Sequence, residues 1–236
     1  MSLDWMASAV RLDGPAFKTG YGGDERALRE GAVYHSMDGS LSYALEMLAN
    51  PALAKSWTFS NPKQGQLIQH YPVGKHAWAA GSQDANEKFG SCESEGGGPG
   101  IESEPLTRNQ IGNLVELTVW LYTTQEWATL TRRITMWEHK EMQRFGSRAT
   151  ACPSDRIPWG IIIAEAEKII SQEDDMTTYK LFQTWGPPKL WNIQYDSGVP
   201  MWRRWVVTPE GAATLIAAHG QPETIDILRL WTIPAL

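Results

Sequence analysis

The nitrogen and sulfur metal ligands in this sequence are few: five histidines (His35, His70, His76, His139 and His219) and two cysteines (Cys92 and Cys152). A lone histidine is more often a polar core or surface residue than a ligand, so position has to single one out. His35 stands where a short apolar run, Ala32-Val33-Tyr34-His35, gives out. His139 shares a loop-rich segment with Cys152, in Trp137-Glu138-His139 and then Thr150-Ala151-Cys152-Pro153. The separation of 13 positions is too long for a single zinc knuckle, but a loop can fold both side chains onto one ion. Two imidazoles and one thiolate leave a fourth tetrahedral position open, the pattern of catalytic rather than structural zinc sites. The bland alternative makes Cys152 a buried thiol before a proline and His139 a surface residue, and spacing alone does not choose between the two. His70 and His76 are expected at the surface. Cys92 precedes Glu93 on an expected strand, so alternation turns them to opposite faces and leaves Cys92 buried and free.

Such side chains need a scaffold. The chain has 236 residues, 42% hydrophobic and 20% charged, which is enough for a core and excludes global disorder. Its 21 Lys and Arg against 27 Asp and Glu give a net charge of −6, which argues against a broad nucleic-acid-binding face and against an electrostatic membrane anchor. Tryptophan is abundant, 12 residues against 7 tyrosines and 5 phenylalanines. That weighting often goes with stacking on flat or sugar-like ligands, but composition alone favours core and interface packing. Two cysteines do not make a disulfide scaffold. Met1-Ser2-Leu3-Asp4-Trp5 has neither a basic start nor a long apolar run, and the longest apolar runs, such as Ile161 to Ala164, are too short to cross a bilayer. The expectation is a monomer made in the cytoplasm, without signal peptide or membrane insertion.

Residues 1–31 show little period. Residues 32–35 read as a strand, and 40–49 as a helix with Leu41, Ala44, Leu45 and Leu48 on one face, ended by Asn50-Pro51. Residues 56–60 and 66–71 read as two strands around the turn 61–65. Another strand, 89–95, runs into Gly96-Gly97-Gly98-Pro99-Gly100. Thr107 is placed to cap a long helix carrying Ile111, Leu114, Val115, Thr118 and Leu121. A loop region is expected over 132–154, and then a helix with Pro158 as its first residue and Ile162, Ala166 and Ile169 on its buried side. Strands mixed with covering helices predict an α/β layered domain. Beyond about residue 175 the texture changes. Gly186-Pro187-Pro188 breaks the chain, 190–195 and 202–207 suggest a hairpin, Thr208-Pro209-Glu210 suggests a helix start, and 227–233 suggests a last strand. The expected organisation is a main domain over 1–178 and a tryptophan-rich extension over 179–236 carrying Trp185, Trp191, Trp202, Trp205 and Trp231.

The order of several segments resembles a known family. Val33-Tyr34-His35-Ser36 is followed by Ser56-Trp57-Thr58-Phe59, by Gly65-Gln66-Leu67-Ile68-Gln69 with Tyr71-Pro72, and by Ala77-Trp78-Ala79-Ala80-Gly81. Asn86, Cys92-Glu93-Ser94-Glu95-Gly96 and Leu106-Thr107 with Gln110 come next, and His139 and Thr150-Ala151-Cys152-Pro153 close the series. This ordered set, over roughly residues 30–170, resembles the type-2 N-acetylmuramoyl-L-alanine amidases, which include peptidoglycan recognition proteins and amidase-type phage lysozymes.

The resemblance implies a central mixed sheet flanked by helices, with Zn²⁺ in a groove at one edge. It implies hydrolysis of the amide between N-acetylmuramic acid and L-alanine. His35, His139 and Cys152 match the zinc ligands. Glu93 matches the acid–base carboxylate, and Thr150 the polar residue that faces the scissile carbonyl oxygen. Trp57 and Trp78 are expected to line the groove for the glycan and stem peptide, with core packing as the alternative. Three departures stand out: Trp57 and Thr58 occupy places where many members carry tyrosine and histidine, Ala79 replaces a frequent histidine, and the loop between His139 and Cys152 is longer than usual. The expected role is a phage-type endolysin acting on the bacterial wall after holin-type release. The alternatives are a cytoplasmic amidase recycling wall fragments and a non-catalytic peptidoglycan-binding protein, a class that has usually lost the cysteine ligand.

Overall fold

The strand that ends in His35 is the middle of the structure, and its sequence explains why. In Gly31–Ser36 (β2) every residue is buried, as expected for a strand with parallel neighbours and both faces covered. Its neighbours are Phe89–Ser94 (β5) and Met136–Glu138 (β6), both parallel to it. The computed structural model describes residues 4–20, 29–175, 179–183, 190–196, 199–206 and 223–224. Phe59–Asn61 (β3) lies parallel to β5 and antiparallel to Ile68–Gln69 (β4), and Val10–Arg11 (β1) runs parallel along β4. The six strands form one mixed sheet in the order β1-β4-β3-β5-β2-β6.

Alternation sorts the two faces of β2. Tyr34 points to one side, where its hydroxyl meets Thr118 Oγ1 at 3.0 Å and its ring packs edge-on against Trp159. That side is covered by Arg108–Thr124 (α3) and by the start of Trp159–Asp175 (α4). Val33 points to the other side, in a cluster with Ala80, Phe89, Trp137 and Met142. His35 has the parity of Val33, so it emerges on that second face.

The helices follow their local signals. Leu41–Ala49 (α1) starts at Ser40, whose hydroxyl accepts from the Tyr43 amide, and it buries Ala44 and Leu48. Helix α3 starts at Thr107 with a reciprocal Thr107–Gln110 capping box, and it buries Leu114, Leu117 and Leu121. Helix α4 begins at Trp159, and the Pro158 carbonyl accepts from the Ile161 and Ile162 amides, so Pro158 precedes the helix rather than opening it.

Several expectations are corrected. Residues 132–154 are not simply a loop: they hold β6 and a 3₁₀ helix, His139–Phe145. The two strands expected over 56–60 and 66–71 are confined to β3 and β4. Gln83–Lys88 (α2), capped by Ser82, had no apolar period to announce it. His70 and His76 are not surface residues, being 1% and 5% exposed, because the chain around them lies under the N-terminal segment. Ile169 is 36% exposed, since α4 keeps only Ile162 and Ala166 of the three fully covered.

The chain divides into two compact units, Met1–Lys168 and Ile169–Leu236. In the second, Tyr179–Gln183 (β7), Leu190–Asp196 (β8) and Val199–Val206 (β9) form an antiparallel meander, and Glu223–Thr224 (β10) runs parallel to β7. The hairpin partners are those expected, with β9 starting earlier. Trp191, Trp202 and Trp205 lie on β8 and β9. The Gly-Pro-Pro break, the helix expected from Thr208, the strand expected over 227–233, Trp185, Trp231 and His219 lie outside the described residues. No helix among the described residues is long and apolar enough to cross a membrane.

Candidate metal centre

Three parallel strands deliver side chains to one place. His35 and Glu93 are register partners on β2 and β5, and both share the face of Val33 and Phe89. His139 directly follows β6 and keeps the parity of Trp137, whose partner on β2 is Val33. The three therefore stand at the C-terminal ends of adjacent strands on one face of the sheet. Cys152 comes from a loop and is held by two backbone contacts: the Lys140 amide donates to its carbonyl at 2.8 Å, and the Ser36 amide donates to its sulfur at 3.2 Å.

The metal-ligating atoms of His35, His139 and Cys152 lie within 4.8 Å of one another. The two imidazole rings are 4.5 Å apart between centroids and tilted by 50°. Donor atoms around a tetrahedral zinc with two nitrogens and one sulfur stand roughly 3.3–3.6 Å apart, given Zn–N near 2.0–2.1 Å and Zn–S near 2.3 Å, so small side-chain rotations complete the set. The decisive observation is an orphan. His35 Nε2 is buried with no hydrogen-bond partner, and so is Glu93 Oε2 beside it. A buried nitrogen without a partner is costly unless a cation or an ordered water takes it.

The electrostatics agree with that fit. Burial, and then the neighbouring His139, hold His35 well below the usual histidine range. Burial and then the Lys55 charge lower His139. Both rings are neutral at pH 7, as ligands must be. Burial, followed by the Glu93 carboxylate, pushes the Cys152 thiol up. A divalent cation outweighs this, because a coordinating thiol is deprotonated outright. Cys92 and Cys152 are both free, and Cys92 is buried on the opposite face of β5, so no disulfide competes for the sulfur.

Glu93 Oε1 lies 3.7 Å from His35 Nδ1. Burial and the nearby Asp38 raise its carboxyl to about 8, with Lys55 acting in the opposite sense. Thr150 Oγ1 accepts from the Cys152 amide at 3.1 Å, so its own hydroxyl proton is left to donate. A cavity of about 720 Å³ opens over these groups, lined by His35, Glu93, His139, Thr150 and Cys152 together with Trp57 and Trp78. Trp57 is 4% exposed and packs with Met37, Ala44 and Leu48, so most of its surface serves the core. Its indole N–H donates to Ser60 Oγ at 2.8 Å. Trp78 is half-buried, and its indole N–H donates to the Gly20 carbonyl at 3.0 Å.

Residues 26–155, more than half of the sequence, match the family described as N-acetylmuramoyl-L-alanine amidase. The chain belongs to this family. Among solved structures, AmpD (as a selenomethionine derivative) aligns with a TM-score of 0.51 at 20% identity, over 69% of this chain and 96% of that one. The Staphylococcus aureus hydrolase AmiA, in complex with its ligand, aligns with a TM-score of 0.52 at 13% identity, over 64% and 77%. At these identities the likeness shows the fold. The endolysin N-acetylmuramoyl-L-alanine amidase LysCS from Clostridium intestinale URNW also matches, at 16% identity and a TM-score of 0.48, over 70% and 98%. No curated protein matches the sequence.

Within this amidase-family domain, the cavity also gathers residues that no sequence pattern announced. Asp38, three positions past His35, and Lys55, in the connection after α1, both line it. Lys55 is exposed, and among the described residues it is the one lysine or arginine in that lining. Neither lies in a motif, and only the C-terminal position of Asp38 after β2 could have drawn notice.

Proposed function

We propose that the protein hydrolyses the amide joining N-acetylmuramic acid to L-alanine in peptidoglycan, using a zinc ion held by His35, His139 and Cys152. The observation that carries this reading is the convergence of those three donors with Glu93 at one cavity, in a chain of the amidase family. When bound, zinc supplies Lewis acidity, polarising a carbonyl and making water nucleophilic at neutral pH.

The remaining work falls to the chain's own residues. Burial makes the Glu93 carboxylate a stronger proton acceptor than a free one, and a bound cation beside it would favour the ionised form that must accept the proton. It takes a proton from the attacking water and returns it to the leaving L-alanine nitrogen. Thr150 donates its hydroxyl proton to the scissile carbonyl oxygen as negative charge develops there. Trp57 and Trp78 form apolar walls for the sugar and peptide. Lys55 offers a positive charge to the carboxylates of the stem peptide.

We further infer that the enzyme acts on the intact wall as an endolysin of phage type. The separate unit Ile169–Leu236, with three tryptophans on β8 and β9, supports a wall-binding appendage. The test is purified protein incubated with purified peptidoglycan, alongside metal analysis. The expected result is one zinc per chain, new L-alanyl N-termini among the products, and loss of both in C152S. Cleavage at another bond, or no new L-alanyl N-termini from zinc-loaded protein, overturns the proposal.

A further inference from the structure

We propose that Arg156 is a positioning residue for the sulfur end of the metal centre, acting through Ser36. The inference rests on reading His35, His139 and Cys152 as a metal site and adds what holds the third ligand in place.

Arg156 lies four residues past Cys152 and is 4% exposed. Its guanidinium makes four hydrogen bonds, all to neutral oxygens. Nε donates to the Glu104 carbonyl at 2.6 Å, and Nη2 to the Glu95 carbonyl at 2.9 Å. Nη1 donates to Ser36 Oγ at 2.6 Å and to the Ser94 carbonyl at 3.4 Å. One side chain thus joins the end of β2, the end of β5 and the segment beyond the glycine-rich turn. Burial disfavours the cation while the nearby Glu104 and Asp38 carboxylates favour it, yet its hydrogen bonds go to neutral oxygens, and that choice calls for a reason.

Ser36 supplies that reason. Its hydroxyl accepts from Arg156 and donates to the Gly96 carbonyl at 3.0 Å, so both of its roles are taken. Its backbone amide, fixed by that grip, donates to Cys152 Sγ at 3.2 Å. An amide proton aimed at a sulfur orients the ligand before metal arrives, the usual part of outer partners around a metal. The glycine-rich turn is cut to fit the same guanidinium. A Cβ on Gly97, at φ +70, would lie 2.3 Å from Ser36 Oγ and 2.9 Å from Arg156 Nη1. Lysine can replace the arginine only in part, because a single ammonium cannot span acceptors on three segments.

The test uses the full chain, with zinc affinity measured by chelator competition and cobalt(II) as a spectroscopic probe of the metal–sulfur bond. R156M is expected to weaken zinc binding about 10- to 100-fold, the usual scale for outer partners, and to weaken or shift the thiolate-to-cobalt charge-transfer band. S36A should act in the same direction, R156K should recover part of the loss, and the double variant should lose less than the two single losses combined. A folded R156M with wild-type affinity and an unchanged band overturns the proposal. If R156M does not fold, S36A decides alone: an unchanged band and affinity there overturn it equally. Wild-type protein showing no sulfur band with cobalt, or C152S binding zinc as tightly as wild type, sinks the metal reading itself and the proposal with it.

Discussion

Acidification should weaken this fold through one histidine that lies away from the candidate metal centre. His70 Nδ1 lies 2.8 Å from the Leu12 carbonyl, and Nε2 lies 2.8 Å from Ser60 Oγ, which in turn accepts from the Trp57 indole. The chain is satisfied only if the ring is neutral, with the proton on Nδ1 and the Ser60 hydroxyl donating to Nε2. Burial lowers the ring's pKa to about 4, against 6.5 for the unfolded chain. The folded-state value is the depressed one, so below pH 6.5 the unfolded chain binds a proton that the folded chain refuses. Stability is therefore fully present above about pH 6.5, falls as the pH drops, and levels off below about 4. The linkage relation puts the loss at ~0.8 kcal/mol at pH 6, ~2 kcal/mol at pH 5 and ~3 kcal/mol at its limit. Urea unfolding of the wild type and of H70Q at matched pH isolates the contribution, because carboxylates and the other histidines are common to both. The wild-type advantage should shrink by ~2 kcal/mol between pH 7 and pH 5. A difference between the two proteins that stays constant over that range refutes the reasoning. Tryptophan fluorescence adds a local readout, since Trp57 ends the same hydrogen-bonded chain and lines the cavity.

Three other outcomes follow from the same geometry. E93Q keeps the shape of the site and removes the proton acceptor, so zinc content should be unchanged while turnover falls at least ~100-fold; normal turnover would remove Glu93 from the mechanism. K55M removes an exposed charge that the proposed function assigns to the stem peptide, and exposed pairs are worth ~0.2–1 kcal/mol, so KM should rise about 1.4- to fivefold with little change in kcat. A muramoyl peptide with its side carboxylates amidated should erase that difference. L114A empties a fully buried position on α3, and unfolding measurements should show a loss of ~3–5 kcal/mol with zinc binding preserved.

Local chemistry made much of this protein readable before any coordinates. Thr107 caps its helix because its hydroxyl satisfies the amide three residues on, an interaction that needs no distant partner, and Ser40, read as the first residue of its helix, proves to cap it in the same way. The strand ending in His35 was legible as a run of apolar residues that stops at a polar one. The set of His35, His139, Cys152 and Glu93 became readable through the order of family-like segments, and the structure brings those side chains together. Strand β6 escaped because three residues are too few to show a period, and its identity depends on pairing with β2, about a hundred positions earlier.

The sequence by itself determined which residue types were at hand, where the main helices begin, and that a mixed α/β layer had to form around an apolar strand. Tertiary structure alone decided the rest. It buried His70 and His76, set Lys55 on the cavity wall, and ran Arg156 to Ser36 across 120 positions of chain. The reason is physical. A cap or an alternation is settled by neighbours a few residues away, whereas burial and long-range hydrogen bonds depend on which distant segments the sheet order makes adjacent.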